Sequence, residues 1–176
     1  YRRELMELFS YKLSRVDFIP ESLPDTTLEV FAHYSRNQIL ASFGYSNPGS
    51  MQEGVKYFSE QNTDVLFVTL DKSEKKFSPS TMYKDYAISP EYFHWESQNS
   101  TSPETPVGKR YISGSSRVLL FVREKKEDQW GTMPYTFLGP VTYSSHKGSK
   151  PMAIVWKMEY RIPARFIGDL TRGVAI

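Results

Sequence analysis

Apolar residues recur at helical spacing at the start of the chain, where Leu5, Leu8, Phe9 and Leu13, continued by Val16, form one stripe and Arg2, Arg3, Glu4 and Lys12 form the wet side. This predicts an amphipathic helix over residues 1–16, ended within 17–25 by Pro20 and Pro24. A second, shorter helix is expected from Ser35. Ser35 and Gln38 have capping-box spacing, Ile39, Leu40 and Phe43 supply the apolar positions, and Gly44 stops the run. From Gly54 the pattern changes to short runs rich in Val, Ile, Tyr, Phe and Trp, over residues 55–58, 64–70, 83–88, 92–97, 117–123, 135–143 and 152–160. Polar, Gly- and Pro-containing breaks separate them at 61–62, 72–79, 89–90, 99–108, 125–134 and 144–151. Seven strands at this spacing predict an α+β fold: a curled, mainly antiparallel sheet or open β-barrel with a helical N-terminal lead-in. The expected organisation is a lead-in over residues 1–50 and a β-rich domain over 51–176, forming one compact unit.

Composition narrows the class. At 176 residues the chain can bury one substantial core. With no cysteine it has neither disulfides nor a thiolate zinc site, and it carries no apolar run of membrane length, so a cytoplasmic protein with no membrane association is expected. The missing initiator methionine suggests a fragment of a larger protein. The net charge of +2 does not by itself announce nucleic acid, because charge must be clustered to attract phosphates strongly. Aromatics make up 15% of residues, which suits sheet packing or stacking against flat ligands.

Enzymatic signatures are sparse. His33, His94 and His146 are far apart, and none has a ligand partner at helical metal-site spacing. No nucleophile elbow or phosphate-binding Gly-Lys-Ser loop is present. The nearest approach to a nuclease is Asp64 with Glu74 and Lys76, a carboxylate pair and a lysine suited to magnesium, but Glu74 and Lys76 fall in a polar turn, where a solvated charged loop accounts for them. The domain is therefore expected to be non-enzymatic on its own, with no catalytic residue, metal or cofactor.

The informative stretch runs from Lys72 to Tyr111. It interleaves Phe77, Tyr83, Tyr86, Tyr92, Phe93, Trp95 and Tyr111 with Asp85, His94, Glu96, Gln98 and Asn99. Rings beside a carboxylate or amide suit a pocket for a flipped-out base, with the rings stacking and the polar group reading the Watson–Crick edge. In that reading Tyr83, Tyr86, Phe93 and Trp95 form walls, and Asp85 or Gln98 reads the base. Lys72, Lys84, Lys109, Arg110, Lys147 and Lys150 hold phosphates from neighbouring turns. Taken one at a time, an aromatic in a strand is more often a core residue and a lysine more often a solubility residue, so it is the motif as a whole that carries the reading.

The segments Tyr83-Lys84-Asp85-Tyr86-Ala87-Ile88 and Tyr92-Phe93-His94-Trp95-Glu96-Ser97-Gln98 resemble a helicase-associated C-terminal domain family labelled as of unknown function. So do Leu119 to Glu124, Pro134 to Gly139 and His146 to Met152, in the same order, with Tyr34-Ser35-Arg36 and Gly54-Val55 upstream. The resemblance implies a module that follows helicase and phospholipase D type nuclease segments in one chain, as in modification-dependent (type IV) restriction enzymes of the SauUSI kind. It further implies an SRA- or PUA-like fold, and double-stranded DNA carrying 5-methylcytosine or 5-hydroxymethylcytosine as the partner. The alternative is a protein-interaction or scaffolding domain coupling helicase to nuclease.

Overall fold

The computed structural model describes residues 1–13, 21–47, 53–70 and 85–170. The first predicted helix is present as α1 (Arg2–Leu13), with the N-terminal ammonium 3.1 Å from Glu4 and Arg3 3.0 Å from Glu7. Val16 and Pro20, expected at its end, lie outside the described residues. The second helix, α2 (Arg36–Ser42), has the expected capping box: Ser35 Oγ accepts from the Gln38 N–H and Gln38 Oε1 accepts from the Ser35 N–H at 2.8 Å.

The fold is mixed α+β around one large, mostly antiparallel sheet. In spatial order it contains β2 (Val55–Phe58), β3 (Thr63–Thr69), β6 (Arg117–Arg123), β9 (Tyr135–Lys147), β10 (Ala153–Met158), β5 (Tyr92–Glu96) and β4 (Tyr86–Ser89), with β1 (His33–Tyr34) also on β9. The sheet is open: β2 and β4 are its edges. Among the described residues only β3 and β6 pair in parallel, from Thr63↔Arg117 to Thr69↔Arg123. Their near-continuous apolar sequences, Val65 to Val68 and Val118 to Val122, are buried throughout, the pattern expected of strands covered on both faces.

Residues 28–43 share this core through Leu28, Val30, Ile39 and Leu40. They are stitched to β9, with the Phe31 N–H donating to the Phe137 carbonyl at 2.6 Å and the Phe137 N–H to that of Ala32 at 3.0 Å. The crossing needs a glycine. Gly139 has φ +96°, and a Cβ there would lie 3.0 Å from the Tyr160 ring and 3.3 Å from Val30 Cγ1.

Four segments differ from the sequence pattern. Residues 99–108, read as a turn, lead into helix α3 (Pro106–Ser113). Thr105 Oγ1 caps it by accepting the Gly108 N–H at 3.1 Å, Pro106 occupies the first turn, and Gly114 ends it at φ 62°. Gly108 lets α3 press on the preceding loop, because a Cβ would fall 1.9 Å from the Ser102 carbonyl oxygen. The 125–134 break holds a hairpin of β7 (Glu127–Asp128) and β8 (Gly131–Thr132), and α4 (Ala164–Leu170) follows Pro163. Finally, β9 runs to Lys147 because β10 pairs with it as far as Ala153↔Lys147, so residues 144–147 are strand rather than turn.

Candidate nucleic-acid interface

The β4–β5 hairpin carries most of the expected base pocket, but its pleat divides the residues between two faces. Tyr86 pairs with His94 across the hairpin, their rings stacked at 4.8 Å and 14°. Phe93 and Trp95 point to the opposite face, 0% and 5% exposed, where they join the core. Asp85 is buried, and its Oδ1 accepts the Glu96 N–H at 2.9 Å, tying the start of β4 to β5. Gln98 is exposed in the loop after β5, and Tyr83 lies outside the described residues. The structure thus does not gather Tyr86, Phe93, Trp95 and Gln98 around one opening.

Three of the expected phosphate-binding residues are exposed at one end of the sheet. Lys147 ends β9, Lys150 lies in the loop before β10, and Lys109 is on α3. Main-chain bonds hold this end together: the Lys150 N–H donates to the Thr101 carbonyl at 3.0 Å and the Ser97 N–H to that of Met152 at 2.9 Å. Glu104 sits among them. The Ser102 hydroxyl, which donates to it at 2.8 Å, holds its carboxyl below the ordinary range, helped by its own backbone N–H and by Lys150 and Lys109.

Arg110 is turned inward instead. Its guanidinium makes a two-pronged bond to Asp64, Nε to Oδ2 at 2.7 Å and Nη2 to Oδ1 at 2.8 Å, and lies 3.9 Å over the Tyr57 ring. Ser116 Oγ donates to the same carboxylate at 2.6 Å. Asp64 is completely buried, so this network clamps α3 onto β3. It also accounts for Asp64, the described member of the nuclease-like trio; Glu74 and Lys76, like Lys72 and Lys84, lie outside the described residues. Among the described residues, no cluster of histidine and carboxylate side chains is arranged to hold a metal, and no helix is long and apolar enough to cross a membrane.

Where β6 begins and β9 continues past it lies a cavity of about 310 Å³ walled by Tyr111, Tyr143, Trp156 and Val141, with Ser116 and Glu159 also contributing; the lysines of the basic end do not line it. Trp95, Tyr111 and Trp156 form a mutually angled aromatic cluster, with centroids 5.5–6.2 Å apart. Within it, Tyr111 Oη and Trp156 Nε1 are buried without a hydrogen-bond partner among the described residues. Burial pushes the Tyr111 phenol pKa far above its ordinary value, with Asp64 adding to the effect, so the group remains an O–H donor. Tyr143 is half-buried, and its hydroxyl is 2.6 Å from His146 Nδ1.

A second cavity, about 360 Å³, lies at the far end of the sheet against α4, with His33 and Arg123 in a wall formed mainly by Leu70, Val122, Leu138 and Phe166. Its polar groups are engaged: His33 Nδ1 lies 3.0 Å from Thr136 Oγ1, and Arg123 bonds Thr69 and the Met133 carbonyl.

Sequence reading had not placed Tyr143 or Trp156 in a site. They sit directly across the β9–β10 pair as Tyr143↔Trp156, a register set by a bulge near Val155 that no local pattern announces. Residues 28–170 match the model of a family described as a domain of unknown function, DUF3427. No curated protein matches the chain.

Proposed function

The chain belongs to the DUF3427 family, and from that premise and the geometry of the cavity we propose that it is a DNA-binding specificity domain that takes a modified cytosine, 5-methylcytosine or 5-hydroxymethylcytosine, out of the duplex. The observation that carries this reading is the pair of donors, Tyr111 O–H and Trp156 N–H, that have no partner among the described residues and belong to side chains walling the cavity. A buried polar group without a partner costs about 1–3 kcal/mol, so two in one wall favour a ligand that supplies acceptors. Cytosine offers two on its Watson–Crick edge, the ring nitrogen N3 and the carbonyl O2, and an amine that Glu159 can accept. Tyr143 supplies a ring for stacking. Both donors are closed off from solvent, so a base reaches them as the wall residues shift.

The volume falls at the lower end of the range for small-molecule sites, about 300–1,000 Å³, and suits one base better than a larger ligand. Lys109, Lys147 and Lys150 would hold phosphates outside it. In this reading the module has an SRA- or PUA-like role, works in the cytoplasm and needs no cofactor or catalytic group of its own. Cleavage and ATP hydrolysis belong to helicase and phospholipase D type nuclease segments of a modification-dependent restriction enzyme.

Tyr143→Ala tests the cavity, with Tyr143→Phe as its control. Loss of one stacking ring should weaken binding of a duplex containing 5-methylcytosine about fivefold to 150-fold, whereas Phe, which keeps the ring, should bind within a few fold of wild type. Equal binding by wild type and Tyr143→Ala would move the base site elsewhere.

One observation favours a second reading, a protein-interaction module: α1 exposes Met6, Leu8, Phe9 and Tyr11, each between 53% and 59%. Removing residues 1–13 would then abolish association with the nuclease or helicase segments and leave DNA binding intact.

A further inference from the structure

Two of the three tryptophans, Trp95 and Trp156, are 5% and 0% exposed; the third, Trp130, is 86% exposed at the tip of the β7–β8 hairpin. The tip is built to display it. Asp128 Oδ1 accepts the Trp130 N–H at 2.8 Å, and Gly131, at φ +122°, turns the chain immediately after it. Holding a large ring in water gives the fold little, since only a small part of its area is removed from solvent on folding.

The surroundings select the partner. A protein-docking site is a contiguous apolar patch of several hundred Å², whereas Trp130 is flanked by Asp128, Gln129, Gly131 and Thr132. A lone ring on a polar tip is suited instead to a flat, equally isolated partner, because stacking requires only the two π faces. Within a duplex each base face is already covered by its neighbours, so the match is a base in a single strand. Lys125 and Lys126 stand exposed on the entering arm, close enough in sequence to meet the flanking phosphates. Glu127 and Asp128 equal them in number, so the ring rather than charge supplies the attraction at this tip.

We propose that Trp130 is a stacking platform for single-stranded DNA, a contact separate from the cavity at the other end of β6 and β9 and independent of cytosine modification. The test is acrylamide quenching of tryptophan fluorescence in the intact domain during titration with a short oligo-dT, together with binding by Trp130→Ala and Trp130→Phe. Only Trp130 is open to the quencher, so its protection reports the contact directly. The expected results are a fall in quenching as oligo-dT binds, at least a fivefold loss of affinity in Trp130→Ala with an unchanged salt slope, and a smaller loss in Trp130→Phe. An unchanged melting temperature in Trp130→Ala would show that the loss is not one of folding. Quenching that does not change, or a Trp130→Ala variant that binds oligo-dT as well as wild type, overturns the proposal. Neither result touches the cavity reading, which stands or falls on binding of modified duplex.

Discussion

Arg110 separates a phosphate contact from a structural clamp, and the two make opposite predictions for Arg110→Ala. Asp64 has no solvent exposure and accepts two bonds from the guanidinium and one from Ser116. Truncating Arg110 leaves a buried carboxylate with Ser116 as its remaining described partner, and breaking a buried pair in this way costs about 3–5 kcal/mol. For a chain of this size each kcal/mol lowers the melting temperature by about 2–4 °C, so a fall of about 6–20 °C is expected. Loss of the stack on Tyr57 adds to it. The double variant Asp64→Asn/Arg110→Ala should recover part of the loss, because a neutral amide does not strand a charge, and the cycle should give a coupling energy of about 1–3 kcal/mol. Arg110→Lys should be intermediate, keeping the charge but losing the planar fork. Urea or thermal denaturation followed by circular dichroism measures all five proteins, the Asp64→Asn single variant that closes the cycle included. The reasoning is refuted if Arg110→Ala melts within about 2 °C of wild type while the slope of log affinity against log salt becomes shallower by about 0.9, the signature of one lost phosphate contact.

Other expectations follow from the same geometry. Tyr111→Phe removes an unpartnered buried hydroxyl, so it should melt no lower than wild type while weakening modified-duplex binding severalfold; parallel calorimetry and melting measure both. Lys147→Ala and Lys150→Ala should each weaken modified and plain duplexes alike and make the salt slope shallower by about 0.9, as gel-shift titrations across salt concentrations can show. Gly108→Ala should lower the melting temperature markedly, since its methyl would meet the Ser102 carbonyl at 1.9 Å and α3 would have to move away from the loop. The domain alone should not nick DNA with magnesium, manganese or ATP, and metal-dependent nicking lost in Glu74→Ala would revive a nuclease reading.

Features set by nearest neighbours were legible in the chain. The Ser35 capping box and the strands 117–123 and 55–58 appear where the pattern puts them, because capping and short runs of β-forming residues depend on residues within a few positions. Helix α3 was hidden by Thr105, Pro106 and Gly108, which read as a turn until Thr105 is seen as a cap and Gly108 as the residue that admits Ser102. Phe93 and Trp95, two positions apart on one strand, share a face, but nothing local says that Tyr86 pairs with His94 and so faces away from them. The Asp64–Arg110 pair joins positions 46 apart, and the Tyr111–Trp156 wall joins α3 to β10; both depend on strand order, which local pattern does not encode. Lysine composition alone likewise could not distinguish exposed Lys109 from its inward-facing neighbour Arg110.

The most direct test of the central claim is isothermal calorimetry of this domain with two duplexes that differ only in one cytosine, plain or 5-methylated. Burial of the methyl group alone is worth about 0.8 kcal/mol, or about fourfold, and a cavity shaped to the base should exceed that. The account predicts saturable binding of the methylated duplex and an affinity for the plain duplex weaker by more than about fourfold, a preference that Tyr143→Ala reduces. Equal affinity for the two duplexes, or no binding to either, would contradict it.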